Sequence, residues 1–230
     1  MKASEFTDIA KRIAEDYSTL YVMGCFGAPL NAGTTERYIR AYGYNGQPYR
    51  KSRIQAAAAE RKDVFGFDCV CFIKSILWGW SGNSQKEYGG AAYQSNGVPD
   101  IDEGTMIERC AGISTDFSNI IPGEVVWMKG HIGIYIGDDR VVECTPEWKD
   151  GVQITMLGNV KRTGTYRIWT KHGKLPYLEY DTDRKTAEEY IRMIADKAKF
   201  SDPAPAIEAM KTVKHPYITD LWRKIYEKMK

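Results

Sequence analysis

The sequence lacks the features that assign a chain to the membrane-spanning, secreted or nucleic-acid-binding classes. No stretch approaches the roughly 18–20 consecutive apolar residues of a membrane-spanning helix. A secretory signal has an apolar core after its basic residues. The first residues of this chain, MKASEFTDIAKRIAEDY, have no such core after the lysine. The 32 basic and 30 acidic side chains give a net charge of only +2, without the clustered basic excess typical of nucleic-acid binding. We therefore expect synthesis in the cytoplasm without a signal peptide, no membrane insertion and no nucleic-acid partner.

Metal-binding spacings are also missing. There is no CxxC pair and no HExxH, and the spacing in Asp-Cys-Val-Cys does not suit a zinc site. The five cysteines are odd in number and irregular in spacing, which together with the missing signal indicates free thiols in a reducing compartment. They are Cys25, Cys69, Cys71, Cys110 and Cys144. We expect no metal and no cofactor.

The first part of the chain carries helical patterns. With 230 residues, 43% of them hydrophobic, the chain suits one medium domain with a small appendage. Apolar residues at helical spacing predict an amphipathic helix over 4–16, capped by Ser4. Further helices are predicted at 53–62, at 68–80, where nearly every residue is apolar and the helix should be buried, and around 102–110.

From residue 121 the periodicity changes to that of strands. Strands are predicted at 125–128, 131–137, 140–145, 152–157 and 165–171, and Gly137-Asp138-Asp139 indicates a tight hairpin. Helices followed by a meander of strands predict an α+β fold with an antiparallel sheet of five to six strands. Beyond a boundary near 178–182, three short helices are predicted at 183–199, 203–212 and 216–229. The expected division is a domain at 1–180 and a small helical module at 181–230.

Cys69 is the candidate nucleophile, because it opens the predicted helix at 68–80 behind Asp68, a plausible N-cap. A helix N-terminus favours a thiolate, and its N–H groups can also hold the oxyanion of an acyl-transfer reaction. The alternative is an inert buried cysteine, the commoner state of cysteines in general.

A catalytic cysteine needs a base, and the chain has only three histidines: His131, His172 and His215. His131 begins a predicted strand, where a side chain can face a cleft with little mobility. His172 follows the last predicted strand and His215 precedes a proline, so a structural role suits both better. Glu143, on the neighbouring strand of the hairpin, could orient the imidazole, although a surface glutamate is an equal alternative.

These segments resemble the NlpC/p-sixty-type cell-wall cysteine peptidases. FDCVCFIKSILWG (67–79) is similar to their nucleophile segment, in which Asp-Cys-Ser-Gly-Phe opens a helix. GEVVWMKGHIGIYIGDDRVVECTP (123–146) is similar to the strands that carry their histidine and their third polar residue. The resemblance covers roughly residues 10–172. It implies a papain-like fold, in which the cysteine helix packs on an antiparallel sheet.

Carried over by position, the resemblance implies Cys69 as nucleophile, His131 as base and Glu143 as orienting residue. Glutamate departs from the family's commonest histidine, and Val70-Cys71 replaces its Ser-Gly. Tyr21 in LYVMG resembles a family tyrosine that points at the substrate, but the gap before Asp68 is longer than usual. The residues expected to bind substrate are Tyr21, Asp68, Gly130 and Trp148. The insert at 25–65 is expected to form part of the groove rim.

The function implied is peptidoglycan hydrolysis, at the bond between D-glutamate and the diamino acid of the stem peptide. One alternative is a CHAP-type amidase that cuts between the sugar lactyl group and L-alanine. Others are an inactive wall-binding protein and an isopeptidase or acyltransferase. A lysin-like layout without a signal suggests an enzyme of a phage, prophage or mobile element that acts at the wall after release. The C-terminal helices could bind the wall or only stabilise the chain.

Overall fold

A computed structural model describes residues 1–180, 187–199, 202–212, 221–222, 225–226 and 228–229. The chain divides into two compact units, Met1–Tyr180 and Asp181–Lys230. Unit 2 contains α7 (Ala187–Ala198) and α8 (Ala204–Thr212). The predicted third helix at 216–229 lies largely outside the described residues, and His215 lies wholly outside them. Across the described part of the chain, none of the helices combines the length and apolarity needed to span a bilayer.

Unit 1 has six helices in its described residues, which are interspersed with short strands in its first two-thirds. They are α1 (Ala3–Asp16), α2 (Ala32–Ala41), α3 (Gly43–Gly46), α4 (Pro48–Ala58), α5 (Cys69–Leu77) and α6 (Glu103–Glu108), with a 3₁₀ turn at Phe117–Asn119.

The first helix is amphipathic, as its sequence predicts, but its predicted cap is wrong. Phe6, Ala10 and Ile13 bury one face of α1. Ser4 is not the N-cap, because the helix already begins at Ala3 behind Lys2, without a side-chain cap. The Ala3 N–H instead donates to the carbonyl oxygen of Glu179 at 2.9 Å. A main-chain partner thus replaces the side-chain cap.

The strands form two sheets. They are β1 (Ser18–Tyr21), β2 (Phe26–Pro29), β3 (Val64–Phe67), β4 (Ala111–Ser114), β5 (Val125–Met128), β6 (His131–Gly137), β7 (Arg140–Thr145), β8 (Gly151–Leu157), β9 (Tyr166–Arg167) and β10 (Lys171–Lys174). The small sheet has the order β1-β3-β2, and the large sheet has the order β4-β10-β5-β6-β7-β8-β9.

The predicted α+β class is confirmed, but the prediction of an antiparallel sheet of five to six strands is wrong. The large sheet has seven strands and is mixed, because β9 pairs with β8 in parallel. The small sheet is also mixed, with β1 parallel and β2 antiparallel to β3. The loop at 158–165 carries the chain from the end of β8 back towards its start. When the chain re-enters the sheet as β9, it therefore runs in the same direction as β8.

The single strand predicted at 165–171 is also wrong, since the chain breaks there into β9 and β10. Residues 171–173 pair with β5 at the other side of the sheet, and β10 also pairs with β4. His172, which was predicted to follow the last strand, therefore lies within a strand. The observed α4 also begins five residues before the predicted start at residue 53.

The main core of unit 1 lies between α5 and the large sheet. Every residue of α5 is buried. Phe72, Ile73 and Ile76 belong to the same apolar cluster as Ile132 and Ile134 of β6. The opposite face of the sheet carries a second cluster: Phe117, Val126, Tyr135, Val141, Leu157 and Trp169. Burial of β6 and β7 between these clusters fixes both strands that carry the candidate site.

Candidate active site

Cys69 is the first residue of α5, and Asp68 caps the helix. One Asp68 carboxylate oxygen accepts the Cys71 N–H at 2.7 Å, and the other accepts the Gly24 N–H at 2.7 Å. Both oxygens of this expected substrate-binding residue are thus engaged by the backbone. The cap leaves the Cys69 N–H, in the same turn, without a partner among the described residues, while the Val70 N–H contacts the Cys69 sulfur.

The Cys69 side chain is held as a protonated thiol at neutral pH. Burial, followed by the charge of Asp68, raises the pKa of Cys69 to about 12. Hydrogen bonds from the backbone N–H groups of Ile132 and Val70 act in the opposite direction, towards a lower pKa. Ile132 directly follows His131, so these contacts bring the sulfur to the start of β6.

His131 and Glu143 lie on the neighbouring strands β6 and β7 and are hydrogen-bonded. Ile134 pairs with Val142, so Glu143 lies diagonally across from His131 on the same face. His131 Nε2 lies 2.7 Å from Glu143 Oε2. Because a carboxylate can only accept, Nε2 carries the hydrogen and Nδ1 is left as the basic nitrogen.

Glu143 is fully buried, and three donors surround its carboxylate. Thr155 Oγ1 donates to Oε1 at 2.6 Å, while His131 Nε2 and Arg167 Nε both donate to Oε2, at 2.7 and 2.6 Å. Burial alone would raise the pKa of Glu143. The hydrogen bond from His131, the charge that His131 carries when protonated and the permanent charge of Arg167 outweigh it, so the pKa lies below its ordinary value. Glu143 is therefore an ionised carboxylate.

The His131 ring is also fixed from its face. The indole of Trp169 stacks on it, with centroids 5.4 Å apart and an interplanar angle of 17°. Trp169 is itself buried and belongs to the apolar cluster on that side of the sheet. The ring thus has little freedom to rotate away from Glu143.

No family model, no curated protein and no solved structure matches this chain. Among the residues that the structure describes, no group of three or more His, Cys, Asp or Glu side chains is arranged to hold a metal ion.

Tyr21 and Gly130 are two further residues that were expected to bind substrate. Tyr21 is buried at the end of β1, and burial, with the nearby Cys69 and Asp68, raises the pKa of its hydroxyl. Gly130 is exposed, adopts φ +82° in the turn before β6, and donates its N–H to Glu103 Oε1 at 3.1 Å. Such a φ favours glycine in this turn.

Trp148, the fourth expected substrate-binding residue, lies in the turn between β7 and β8. Its side chain is about half exposed at 49%, and its backbone adopts φ +56°, unusual for a bulky residue. The Arg167 guanidinium lies over its ring, 4.7 Å from the centroid. Through Arg167, this exposed ring is connected to Glu143 and His131.

The insert at 25–65 packs beside Tyr21 and Gly24. Tyr42, which follows α2, lies against Gly24 so closely that a side chain at position 24 would clash with its ring. Arg50 of α4 donates to the carbonyl oxygen of Tyr21 and forms a buried ion pair with Asp150 at 2.8 Å. These three contacts attach the insert to the end of β1, to the residues after it and to the turn between β7 and β8.

His172 forms a separate buried pair. Its Nδ1 contacts Glu124, and its Nε2 lies 2.9 Å from the carbonyl oxygen of Asp116. Burial raises the pKa of Glu124, despite the opposing effect of His172. With both ring nitrogens engaged, His172 links β10 to the 3₁₀ turn and to the start of β5, which is a structural role.

Sequence reasoning missed Arg167, Thr155, Trp169 and Glu103. Thr155 faces Glu143 through the β7–β8 pairing, in which Glu143 and Gln153 are partners. The alternation of the strand predicted at 152–157 could have indicated this, because it places Thr155 on the same face as Gln153. No local pattern indicated Arg167, because its position depends on the parallel pairing of β9 after a loop.

Proposed function

We propose that this protein is a cysteine hydrolase in which Cys69 is the nucleophile and His131 the base. The observation that carries the proposal is the 2.7 Å hydrogen bond to the buried carboxylate of Glu143 from Nε2 of His131, one residue before Ile132, whose N–H contacts the Cys69 sulfur. A cysteine at a helix start, a base and an orienting carboxylate are the parts that acyl transfer requires.

In the proposed reaction, His131 Nδ1 takes the thiol proton as the sulfur attacks the carbonyl carbon. The high pKa of Cys69 favours this concerted transfer over a resting thiolate–imidazolium pair. The free Cys69 N–H at the start of α5 stabilises the oxyanion. His131 then gives its proton to the leaving amine, and a thioester remains on Cys69. Water, deprotonated by His131, hydrolyses the thioester and regenerates the thiol.

We propose the stem peptide of bacterial peptidoglycan as the substrate, cleaved between D-glutamate and the diamino acid. The support is the resemblance of residues 67–79 and 123–146 to the NlpC-type peptidases, together with the pairing of the corresponding residues His131 and Glu143. The layout also fits an enzyme of a phage, prophage or mobile element that reaches the wall after release.

Digestion of purified peptidoglycan tests the proposal. The full chain, a Cys69→Ala variant and a Cys110→Ala variant are incubated with walls of defined chemistry, and new termini are identified by mass spectrometry. We expect new D-glutamate carboxyl and diamino-acid amine termini with the full chain and with Cys110→Ala, which removes a buried thiol outside the site. Cys69→Ala should produce no new termini.

Other results would separate the alternatives. New L-alanine amine termini would instead support the amidase. Turnover by Cys69→Ala equal to that of the unaltered chain would refute the mechanism. Wall binding without turnover by either chain would support a binding protein. No binding and no turnover on any wall would exclude peptidoglycan as the substrate and leave a protein or lipid acyl group as the target.

A further inference from the structure

Two donors share a single oxygen of Glu143. His131 Nε2 and Arg167 Nε both donate to Oε2, at 2.7 and 2.6 Å. The Glu143 side chain is 0% exposed, and those of His131 and Arg167 are 12% and 15% exposed. A buried carboxylate therefore has one permanent cation and one titratable ring bound to the same atom.

This sharing decides which group neutralises the carboxylate. A buried carboxylate with only a histidine beside it favours the imidazolium, because an unpaired buried charge is costly. An imidazolium has no lone pair and cannot take the proton of Cys69. A guanidinium is always charged, so it neutralises Glu143 without taking a proton from solution. Its charge also opposes a second positive charge on the nearby ring.

We propose that Arg167 is a positioning residue that keeps Glu143 ionised and His131 uncharged, so that His131 can act as the base for Cys69. The inference rests on the proposed role of Cys69 and His131, but not on peptidoglycan as the substrate.

The surroundings of Arg167 hold its guanidinium at this position. Residue 167 pairs with Leu157 in the parallel β8–β9 ladder. Its Nη2 donates to Thr145 Oγ1 at 2.8 Å and lies 3.5 Å from the exposed carboxylate of Glu147. The Trp148 ring covers the guanidinium from one side. A lysine at this position has the charge but not the flat, multi-donor group that makes these contacts together.

Three acidic side chains contact residues of the site. Glu103 of α6 binds the Gly130 N–H, and Asp68 caps α5 beside Cys69. Glu147 contacts Arg167 itself from the β7–β8 turn. Within the described residues, Arg167 is the one permanently charged cation that contacts Glu143, so the neutral ring depends on it.

The test measures the pH dependence of Cys69 alkylation by iodoacetamide, which needs no wall substrate. Labelling is assigned to Cys69 by tandem mass spectrometry in the full chain and in the Arg167→Met, Arg167→Lys and Arg162→Met variants. The rate falls on the acid side as His131 gains a proton. We expect this acid-side midpoint to rise by about one pH unit or more in Arg167→Met, the shift typical of removing one nearby charge. The midpoint of Arg167→Lys should lie between those of the full chain and Arg167→Met. Arg162→Met, which changes an exposed side chain, should leave the midpoint unmoved.

A second variant keeps the result interpretable if Arg167→Met loses reactivity. In Glu143→Gln/Arg167→Met the site has neither charge, so the midpoint should return below that of Arg167→Met. Nitrogen chemical shifts of the His131 ring, titrated by NMR, report the same midpoint without any reaction. An unmoved midpoint in Arg167→Met, with reactivity reduced equally at every pH, would overturn the proposal and leave Arg167 as a strand anchor. Equal midpoints in the single and double variants would also overturn it.

If alkylation follows these expectations while no wall is digested, the role of Arg167 stands and the proposed substrate falls. If walls are digested and the midpoint does not move, the proposed function stands and the role of Arg167 falls.

Discussion

At the scale of single residues, the state of Cys69 determines how the site can react. Its thiol is buried, and its pKa is raised to about 12, chiefly by burial and then by Asp68. The pKa lies above its ordinary value, so the thiol form dominates throughout the neutral range. Reactivity at neutral pH must therefore come from proton removal by His131 during the attack.

We expect alkylation of Cys69 to continue rising beyond pH 9, because the free thiolate accumulates only at high pH. His131→Gln should lower the neutral rate by about 10²-fold, the lower end of what a positioned base contributes, and should leave the alkaline rise in place. His172→Gln, at the structural histidine, is the control. A level rate from pH 5 to 8 that His131→Gln abolishes would instead indicate a preformed ion pair.

Glu103 provides a second residue-level prediction. Its charge contributes to the raised pKa of Cys69, after burial and Asp68. Glu103→Gln keeps an acceptor for the Gly130 N–H but removes the charge. Cys69 should then alkylate faster at a fixed pH, by less than about tenfold, which corresponds to one pKa unit.

The matched control is Glu108→Gln at the exposed end of the same helix, which should change nothing. A slower reaction in Glu103→Gln would indicate that the Gly130 turn, rather than the charge, governs the site.

The sequence predicts some residues of the site better than others. Helix-start placement and the scarcity of histidines single out Cys69 and His131, and the hairpin turn brings Glu143 to His131. Arg167 could not be predicted, because its contact with Glu143 depends on how the loop at 158–165 brings the chain back alongside β8. No local pattern encodes a parallel two-residue pairing.

At the scale of elements, one buried ion pair attaches the insert helix α4 to the β7–β8 turn. Arg50 and Asp150 are 4% and 7% exposed, whereas Arg53, which also contacts Asp150, is 42% exposed. Asp150 adopts φ +56°, a conformation that asparagine tolerates. Asp150→Asn therefore removes the charge while preserving the turn.

Asp150→Asn should lower the free energy of unfolding by about 3–5 kcal/mol, because Arg50 would remain buried without a counter-charge. Arg53→Ala should cost about 1 kcal/mol or less, since that pair is largely solvated. Urea unfolding of both variants measures the difference. Equal losses would contradict the assignment of the buried pair as the attachment.

Strands sandwiched between two apolar layers were predicted best. The bounds predicted for β5, β6 and β7 agree with the structure because alternation and turn residues act locally there. The strand predicted at 165–171 was not a single element. Its first half forms β9, which pairs with β8, and its end begins β10, which pairs with β5. Only the tertiary fold determines these different partners.

At the scale of the whole molecule, unit 1 contains a complete core of its own. All members of the three apolar clusters found among the described residues lie within residues 1–180. The main-chain bonds from Glu179 to Met1 and Ala3 join the two ends of this unit. A segment with its own core and closed ends can fold independently.

A chain of residues 1–180 should therefore unfold in a single cooperative transition and keep the Cys69 alkylation rate of the full chain. Circular dichroism during thermal unfolding and the labelling assay measure both. A chain that ends at residue 170 is the control, because it lacks β10 and should not fold. Non-cooperative unfolding of 1–180 would show that this unit depends on the rest of the chain.

The α+β class followed from the order of helices and strands, whereas the mixed character of both sheets did not. Parallel pairing of β1 with β3 joins segments separated by the whole insert. Contacts between such distant segments depend on the packing of the insert, which periodicity does not reveal.

The left-handed backbone of Trp148 has a consequence for variation at that position. A bulky residue at φ +56° is held against its own preference, while glycine would adopt the same conformation without strain. Selection for folding alone would thus replace the indole. Saturation mutagenesis scored separately for abundance and for activity should rank the substitutions at residue 148 in opposite orders, with glycine and asparagine enriched in the first screen and tryptophan in the second.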